Sequence, residues 1–195
     1  MLNLLLPLAT ESVRDPKNGM RRLLNLGLND QTVWLFAAAV IVATTVLGFV
    51  QEFVSPPAYD GNGNIILLPS PFVLLLSTAY LSVTMSFAIA VVGRFFGGKG
   101  QFIELLLADS WLRIFAIGLM FLDMLSVLLG SGLIQILLIA GYVYLFWLLV
   151  NFVAETHETL SLGMAFLSIF VGGLAAALPF FYFLSLLGWA PPLGG

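Results

Sequence analysis

Asp123 lies within an otherwise apolar run of the sequence, LMFLDMLSVLL. A carboxylate near the centre of a membrane-spanning helix costs about 2.5–3.5 kcal/mol on insertion scales, so it should face other helices or a wet cavity. Burial favours the protonated acid. Two interpretations are open: Asp123 relays protons or cations, or it makes a hydrogen bond that joins two helices. Hydroxyl groups at a matching depth belong to Thr44, Thr45, Thr78, Tyr142 and Tyr182.

A second polar group surrounds the only histidine of the chain. It comprises Asp109, Asn151, Glu155, His157 and Glu158. A histidine with nearby carboxylates could bind a divalent cation, although Glu-x-His-Glu is not a diagnostic metal spacing. His157 could instead cap the C-terminal end of a helix, or pair across loops with Asp109 or Glu104. Docking of a partner protein is the third interpretation of these residues.

The composition is that of a protein surrounded by lipid rather than by water. Apolar residues make up 61% and charged residues 9% of the 195 residues, and the mean hydropathy is +1.07. Ordinary globular domains are about 45–50% apolar and about 25% charged, so this chain has too little charge to cover a water-exposed surface. The small net charge of −3 argues against nucleic acid as a partner.

Sequence motifs for catalysis are missing from the chain. It has no Gly-x-Ser-x-Gly elbow, no phosphate-binding loop and no dinucleotide-binding glycine pattern. The chain has no cysteine, so disulfides and thiolate sites are excluded. We therefore predict that the protein is not an enzyme and has no catalytic, cofactor-binding or metal site.

Long apolar runs predict an all-α integral membrane protein, a bundle of five transmembrane helices. The predicted spans are about 33–54, 71–93, 110–129, 133–154 and 160–187, within a membrane domain of residues 32–188. Residues 1–31 form an N-terminal interfacial segment and residues 189–195 a short tail. Asp15 and Pro16 are typical of a helix start. We expect short amphipathic interfacial helices at the N-terminus and after Lys99.

Small side chains recur at helical spacing in two of these spans. The first stripe is Thr78, Ser82, Ser86 and Ala90, and the second is Ser168, Gly172 and Ala176. Such stripes let helices approach closely in lipid, so we interpret them as packing faces. They are also candidates for contact with other membrane proteins or with a second copy of this chain.

The basic residues are distributed unevenly. Those suited to a membrane surface are Lys17, Arg21, Arg22, Arg94 and Lys99, with Arg14 before them and Arg113 four residues after Asp109. With five spans, all seven fall on one side of the membrane. Because positively charged short loops stay in the cytoplasm, we predict a cytoplasmic N-terminus and an external C-terminus.

Three segments carry a resemblance to a known family: DPKNGMRRLL, FFGGKGQFIELLLADSW and WLLVNFVAETHE, the last preceded by Gly141-Tyr142. Over about residues 14–188 the chain resembles the Yip-domain family of five-span membrane proteins. The resemblance implies a cytoplasmic N-terminus. It also implies a role like that of eukaryotic members, which act in Golgi and endoplasmic-reticulum trafficking and bind Rab-type GTPases. Their acidic tail and Asp-Leu-Tyr-Gly-Pro motif are missing here, and the short form is similar to bacterial members of the inner membrane.

Two functions are expected from these features. The first is a non-enzymatic scaffold, assembly or trafficking factor that binds membrane lipids and other membrane proteins. The second is a small proton- or ion-coupled transporter or channel-like protein that uses Asp123. Pro179 breaks the last span without a counterpart in an earlier span, which disfavours an inverted-repeat transporter.

Overall fold

The computed structural model describes residues 2–54, 70–129 and 132–186. Within these ranges the chain forms seven α-helices and no strand. They are α1 (Leu2–Arg14), α2 (Pro16–Leu24), α3 (Asp30–Val54), α4 (Pro71–Phe95), α5 (Phe102–Leu129), α6 (Gly132–Thr156) and α7 (Leu162–Leu186). The last five are each at least 25 residues long and apolar enough to cross a membrane. At about 1.5 Å per residue each exceeds the roughly 30 Å hydrocarbon core, which confirms the predicted fold class.

Polar side chains define where most of these helices start. Asp15 accepts from the backbone N–H of Asn18 at the start of α2, with Pro16 in the first helical position, as predicted. Ser70 caps α4 in the same way, and Asn29 and Ser161 do so for α3 and α7. The predicted tail and the residues of the predicted loops at 55–69 and 130–131 lie outside the described ranges.

The helix expected after Lys99 is not a separate interfacial element. It forms the first part of α5, which runs without a break for 28 residues. Glu104 accepts from the backbone N–H of Gln101 and caps this start, and no glycine or proline follows until Gly118. Leu105, Leu106 and Trp111 are buried, so packing against neighbouring helices keeps the segment in line with the span.

The α1–α2 helical hairpin packs on the bundle rather than lying free beside it. Its Leu8, Met20 and Leu23 form one buried cluster with Trp111 of α5 and Phe152 of α6. Trp111, expected as an interfacial anchor, is only 2% exposed and donates its indole N–H to Ser12 at 3.0 Å. The hairpin therefore covers one end of α5 and α6.

We call this the basic end of the bundle. It is the end at which α3, α5 and α7 begin and α4 and α6 finish. Contacts across the loops fix this arrangement, because Arg21 of the hairpin meets Glu155 and the α4–α5 loop meets the α6–α7 loop. All seven basic residues lie between this end and the middle of the bundle, and Gln51 and Asp123 lie towards the opposite end.

Both stripes of small residues face other helices of the same chain. Ser168, Gly172 and Ala176 are buried on α7, which packs on α4. A Cβ atom on Gly172 would lie 3.1 Å from the backbone nitrogen of Ile89. On α4, Thr78 is half-buried, and Ser82, Ser86 and Ala90 are buried. Both stripes therefore lie in contacts between helices of this chain rather than on its surface.

Replacement of Gly172 by leucine should therefore separate α4 from α7. We expect a loss of about 1–3 kcal/mol of unfolding free energy, the usual cost of overpacking a close contact. Thermal unfolding in detergent would measure it. Ala175→Leu is the matched control, because Ala175 is exposed on the same helix. Equal melting temperatures for the two variants would contradict the assigned contact.

Candidate functional site

His157 is the centre of the polar structure at the basic end. It follows the last residue of α6 and is fully buried, with 0% of its surface exposed. Its imidazole is enclosed by glycines of α4 and the α4–α5 loop. A Cβ atom would come within 2.2 Å of the ring at Gly93, 2.4 Å at Gly98 and 2.8 Å at Gly100. We call His157, Gly93, Gly98 and Gly100 the His157 lock. The imidazole ring fills the space that side chains at the three glycine positions would occupy.

Hydrogen bonds define the tautomer of the ring. The backbone N–H of Gly100 donates to Nδ1 at 2.9 Å, so Nδ1 carries no proton and the neutral ring holds its proton on Nε2. Nε2 makes no hydrogen bond within the described residues, although the Ile89 carbonyl faces the ring. Burial lowers the pKa of His157, and the nearby positive charge of Arg94 lowers it further. The ring is therefore a neutral structural element.

Backbone contacts extend the His157 lock to two whole loops. The N–H of Lys99 donates to the His157 carbonyl at 3.2 Å, and the Thr159 hydroxyl donates to the Gly97 carbonyl at 2.7 Å. Gly97 has φ +87, a left-handed conformation that glycine adopts without strain. The α4–α5 and α6–α7 loops thus form one hydrogen-bonded unit around a buried side chain.

The polar group predicted around His157 is divided among separate contacts. Glu155 pairs with Arg21 at 2.6 Å, and Glu158 lies 3.6 Å from Lys99. Asn151 donates to the Trp147 carbonyl of its own helix. Pairing of His157 with Asp109 or Glu104 is therefore wrong, because the ring is held by backbone groups. No group of three or more histidine, aspartate or glutamate side chains in the described ranges could hold a metal ion.

Asp109 and Arg113 form the predicted pair on α5. The Arg113 Nε atom donates to Asp109 at 2.8 Å, and both side chains are mostly shielded from solvent. Ser82 of the first small-residue stripe also donates to the Asp109 carboxylate. This second hydrogen bond ties α4 to α5, a link that the i,i+4 spacing alone does not indicate.

An open cleft lies beside the His157 lock at the basic end. Its volume is about 550 Å³, and its polar lining is Arg21, Asn25, Glu104, Glu155, Thr156 and Glu158. Three glutamates against one arginine make the cleft acidic. The hydrogen bond with Glu155 is the main reason that the pKa of Arg21 is raised. Glu104 of α5, the end of α6 and Glu158 form one wall of this cleft, and the end of α2 forms the other.

Asp123 has a partner that the sequence did not indicate. The Gln51 side-chain amide of α3 donates to its carboxylate, and Tyr142 of α6 lies within electrostatic range. The expected hydroxyls of Thr44, Thr45 and Thr78 donate instead to carbonyls one turn earlier in their own helices. Gln51 is the only amide side chain of α3 beyond its first turn, and this feature could have identified it.

A double-mutant cycle can measure this contact. We expect a coupling of about 0.5–1.7 kcal/mol between Gln51→Ala and Asp123→Ala, the range found for side-chain hydrogen bonds in membrane bundles. Chemical unfolding in mixed micelles gives the four free energies. Glu52→Ala in place of Gln51→Ala is the control, because Glu52 is exposed next to Gln51. Strictly additive effects for Gln51 and Asp123 would show that the hydrogen bond contributes nothing.

Comparison with protein-family models, curated proteins and solved structures finds no match to this chain. Gly98 and Gly100 lie within the segment FFGGKGQFIELLLADSW and Gly93 lies two residues before it, but only the fold places the histidine against all three.

Proposed function

We propose that this chain is a non-enzymatic integral membrane protein of the Yip type, which acts as a scaffold, assembly or trafficking factor. One observation carries the proposal: the basic end is a prearranged polar surface, in which buried His157 joins two loops beside an open acidic cleft. A rigid surface loses less conformational entropy on binding than a mobile loop does. It therefore suits a protein partner.

The charges in the cleft indicate the chemistry of that partner. Glu104 and Glu158 line the cleft together with Glu155, and only Glu155 has a short ion pair to an arginine. A protein segment with lysine or arginine side chains would complement this surface. The two small-residue stripes are occupied within the bundle, so we place the partner at the cleft.

The distribution of the basic residues supports an orientation in the membrane and a location. The seven basic residues lie in the half of the bundle that includes the basic end, which favours a cytoplasmic basic end and N-terminus and an external C-terminus. With the resemblance to short bacterial Yip-type proteins, this favours the bacterial inner membrane. A reporter fusion at each terminus would test it. Reporters in one compartment would contradict the proposed topology.

Site-specific photo-crosslinking tests the adaptor function. A photoreactive residue at Asn25, in the cleft, should give one discrete crosslinked product in intact membranes, and the same residue at exposed Gln31 should not. Glu104→Gln with Glu158→Gln should abolish this product, because the change removes two negative charges and leaves a glutamine able to cap α5. Identical products at both positions, or no effect of the charge change, would refute docking at the cleft.

A second candidate function depends on the polar contact between Gln51 and Asp123. A carboxylate with an amide partner inside a bundle could bind and release a proton. Purified protein in liposomes with a pH-sensitive dye should then show proton flux that Asp123→Asn removes. Flux equal to that of empty liposomes would eliminate this candidate.

A further inference from the structure

The structure separates the seven basic residues into two groups. Five of them are engaged, as Arg21–Glu155 at 2.6 Å, Arg22–Glu11 at 2.7 Å, Arg113–Asp109 at 2.8 Å, Lys99–Glu158 at 3.6 Å, and Arg94 to the Gly100 carbonyl at 3.2 Å. Arg14 and Lys17 form no ion pair within the described part of the chain. These two residues are therefore the cations available to an external anion.

Arg14 and Lys17 lie together at the tip of the α1–α2 hairpin. Arg14 is the last residue of α1, and Lys17 is the second residue of α2. The acid between them is occupied, because the Asp15 carboxylate accepts from both the backbone and the side-chain amide of Asn18. The tip thus presents two positive charges whose nearest acid in sequence serves as a helix cap.

Aromatic residues locate this tip relative to the membrane. The Tyr144 hydroxyl donates to the Val13 carbonyl, so the tip lies beside Tyr144 on α6. Tyr144 packs on Trp147 with ring centroids 5.3 Å apart, and both rings are partly exposed. Tyrosine and tryptophan concentrate at the headgroup level of membranes.

The exposure of α6 changes one turn after Tyr144. Before Tyr144 its surface carries exposed apolar side chains such as Leu133, Ile136 and Val143, as expected of a lipid-facing helix. From Leu148 onwards most residues are buried by the hairpin and the neighbouring helices. The covered part of α6 therefore begins at about Leu148, and the hairpin tip lies beside the last exposed turn before it.

We infer that Arg14 and Lys17 bind the phosphate of an acidic phospholipid, whose acyl chains lie along the exposed apolar face of α6 that precedes Tyr144. A guanidinium and an ammonium both donate hydrogen bonds to phosphate oxygens. A phosphatidylcholine headgroup carries its own compensating positive charge, so the site selects lipids with net negative charge. The inference does not depend on the proposed adaptor function, which uses the cleft rather than the hairpin tip.

Native mass spectrometry of the detergent-solubilised protein tests the inference. Phosphatidylglycerol and phosphatidylcholine with identical chains are titrated in parallel, and inorganic phosphate is added in a third arm. Wild-type protein should retain phosphatidylglycerol preferentially, and Arg14→Gln with Lys17→Gln should weaken its retention by about tenfold. Arg22→Gln with Lys99→Gln removes the same charge from the same end and should change retention by less than about twofold.

Several results would overturn the inference. Equal losses in the two double variants would mean that total charge, rather than the hairpin tip, attracts the lipid. Equal retention of both lipids would exclude selection of negative charge, and saturable binding of inorganic phosphate alone would assign the site to a free anion. If the Arg14/Lys17 variant aggregates, a photoactivatable phosphatidylglycerol decides the question on wild-type protein. Its label must fall on the hairpin tip or on residues 133–147 of α6, and a label elsewhere contradicts the site.

Discussion

A Gly93→Ala variant should unfold in detergent roughly 6–12 °C below the wild-type protein. The added methyl group would lie 2.2 Å from Nε2 and 2.4 Å from Cε1 of His157, far inside van der Waals contact. The ring has no space to move into, because Gly98 and Gly100 touch its other side. Overpacking of this kind costs about 3 kcal/mol, and each kcal/mol lowers the melting temperature of a chain of this size by about 2–4 °C.

The matched control for this variant is Gly118→Ala. Gly118 also lies inside a long helix, but a Cβ atom there would meet nothing within 4 Å. Because alanine favours helix more than glycine, this variant should be neutral or slightly more stable. A similar loss of stability in both variants would mean that helix position, rather than contact with the ring, causes the effect.

Removal of the ring should relieve the steric clash. His157→Ala removes the imidazole and leaves a cavity. In that background Gly93→Ala should lower the free energy of unfolding little further, because the added methyl group no longer meets the ring. The double variant should then be about as stable as His157→Ala alone, a strongly non-additive result. Additive losses would show that Gly93 and His157 do not meet.

The second large effect concerns pH. The stability of wild-type protein should fall as the pH is lowered through about 6.5, and it should vary little with pH above about 7.5. Burial is the largest cause that lowers the pKa of His157 in the folded protein; the Ile89 carbonyl opposes it, and the charge of Arg94 adds to it. The unfolded chain therefore takes up the proton at a higher pH than the folded chain does. Between those two pKa values unfolding binds a proton, so stability rises with pH.

This dependence can be assigned to one residue because the chain has a single histidine. The neighbouring acids do not compensate a charged ring, since Glu155 pairs with Arg21 and Glu158 faces Lys99. Protonation of the neutral ring adds a proton to Nδ1 and breaks the hydrogen bond from the Gly100 N–H, because Nδ1 then becomes a donor. Acidic conditions should therefore loosen the two loops before the rest of the bundle.

His157→Asn provides the test. Asparagine can still accept a hydrogen bond from the Gly100 N–H, but it does not titrate. Melting temperatures measured from about pH 8 to about pH 5.5 should decline less for this variant than for wild type. Hydrogen exchange of residues 97–101 in wild-type protein should increase over the same range. Parallel pH profiles for the two proteins would remove His157 as the cause.

The sequence determined the class of the protein and most helix limits. The apolar runs predicted spans that agree with α3, α4, α6 and α7 to within a few residues, because lipid solvates only segments whose backbone bonds are satisfied internally. Asp15 and Pro16 defined the start of α2 through local hydrogen bonding. Small-residue spacing identified the packing faces of α4 and α7, since helical periodicity alone places those residues on one side.

Only the tertiary structure decided which polar groups meet. His157 and Gly93 are 64 residues apart by the numbering of the chain, and no local pattern shows that a ring fills the space beside three glycines. The hydrogen bonds between Gln51 and Asp123 and between Ser12 and Trp111 also join residues far apart in the sequence, and no local pattern indicates them. Side-chain periodicity fixes the face of a helix, whereas the partner of that face depends on how all the helices pack. The sequence therefore determined the membrane bundle, and the packing of its helices determined the lock, the cleft and the hairpin tip.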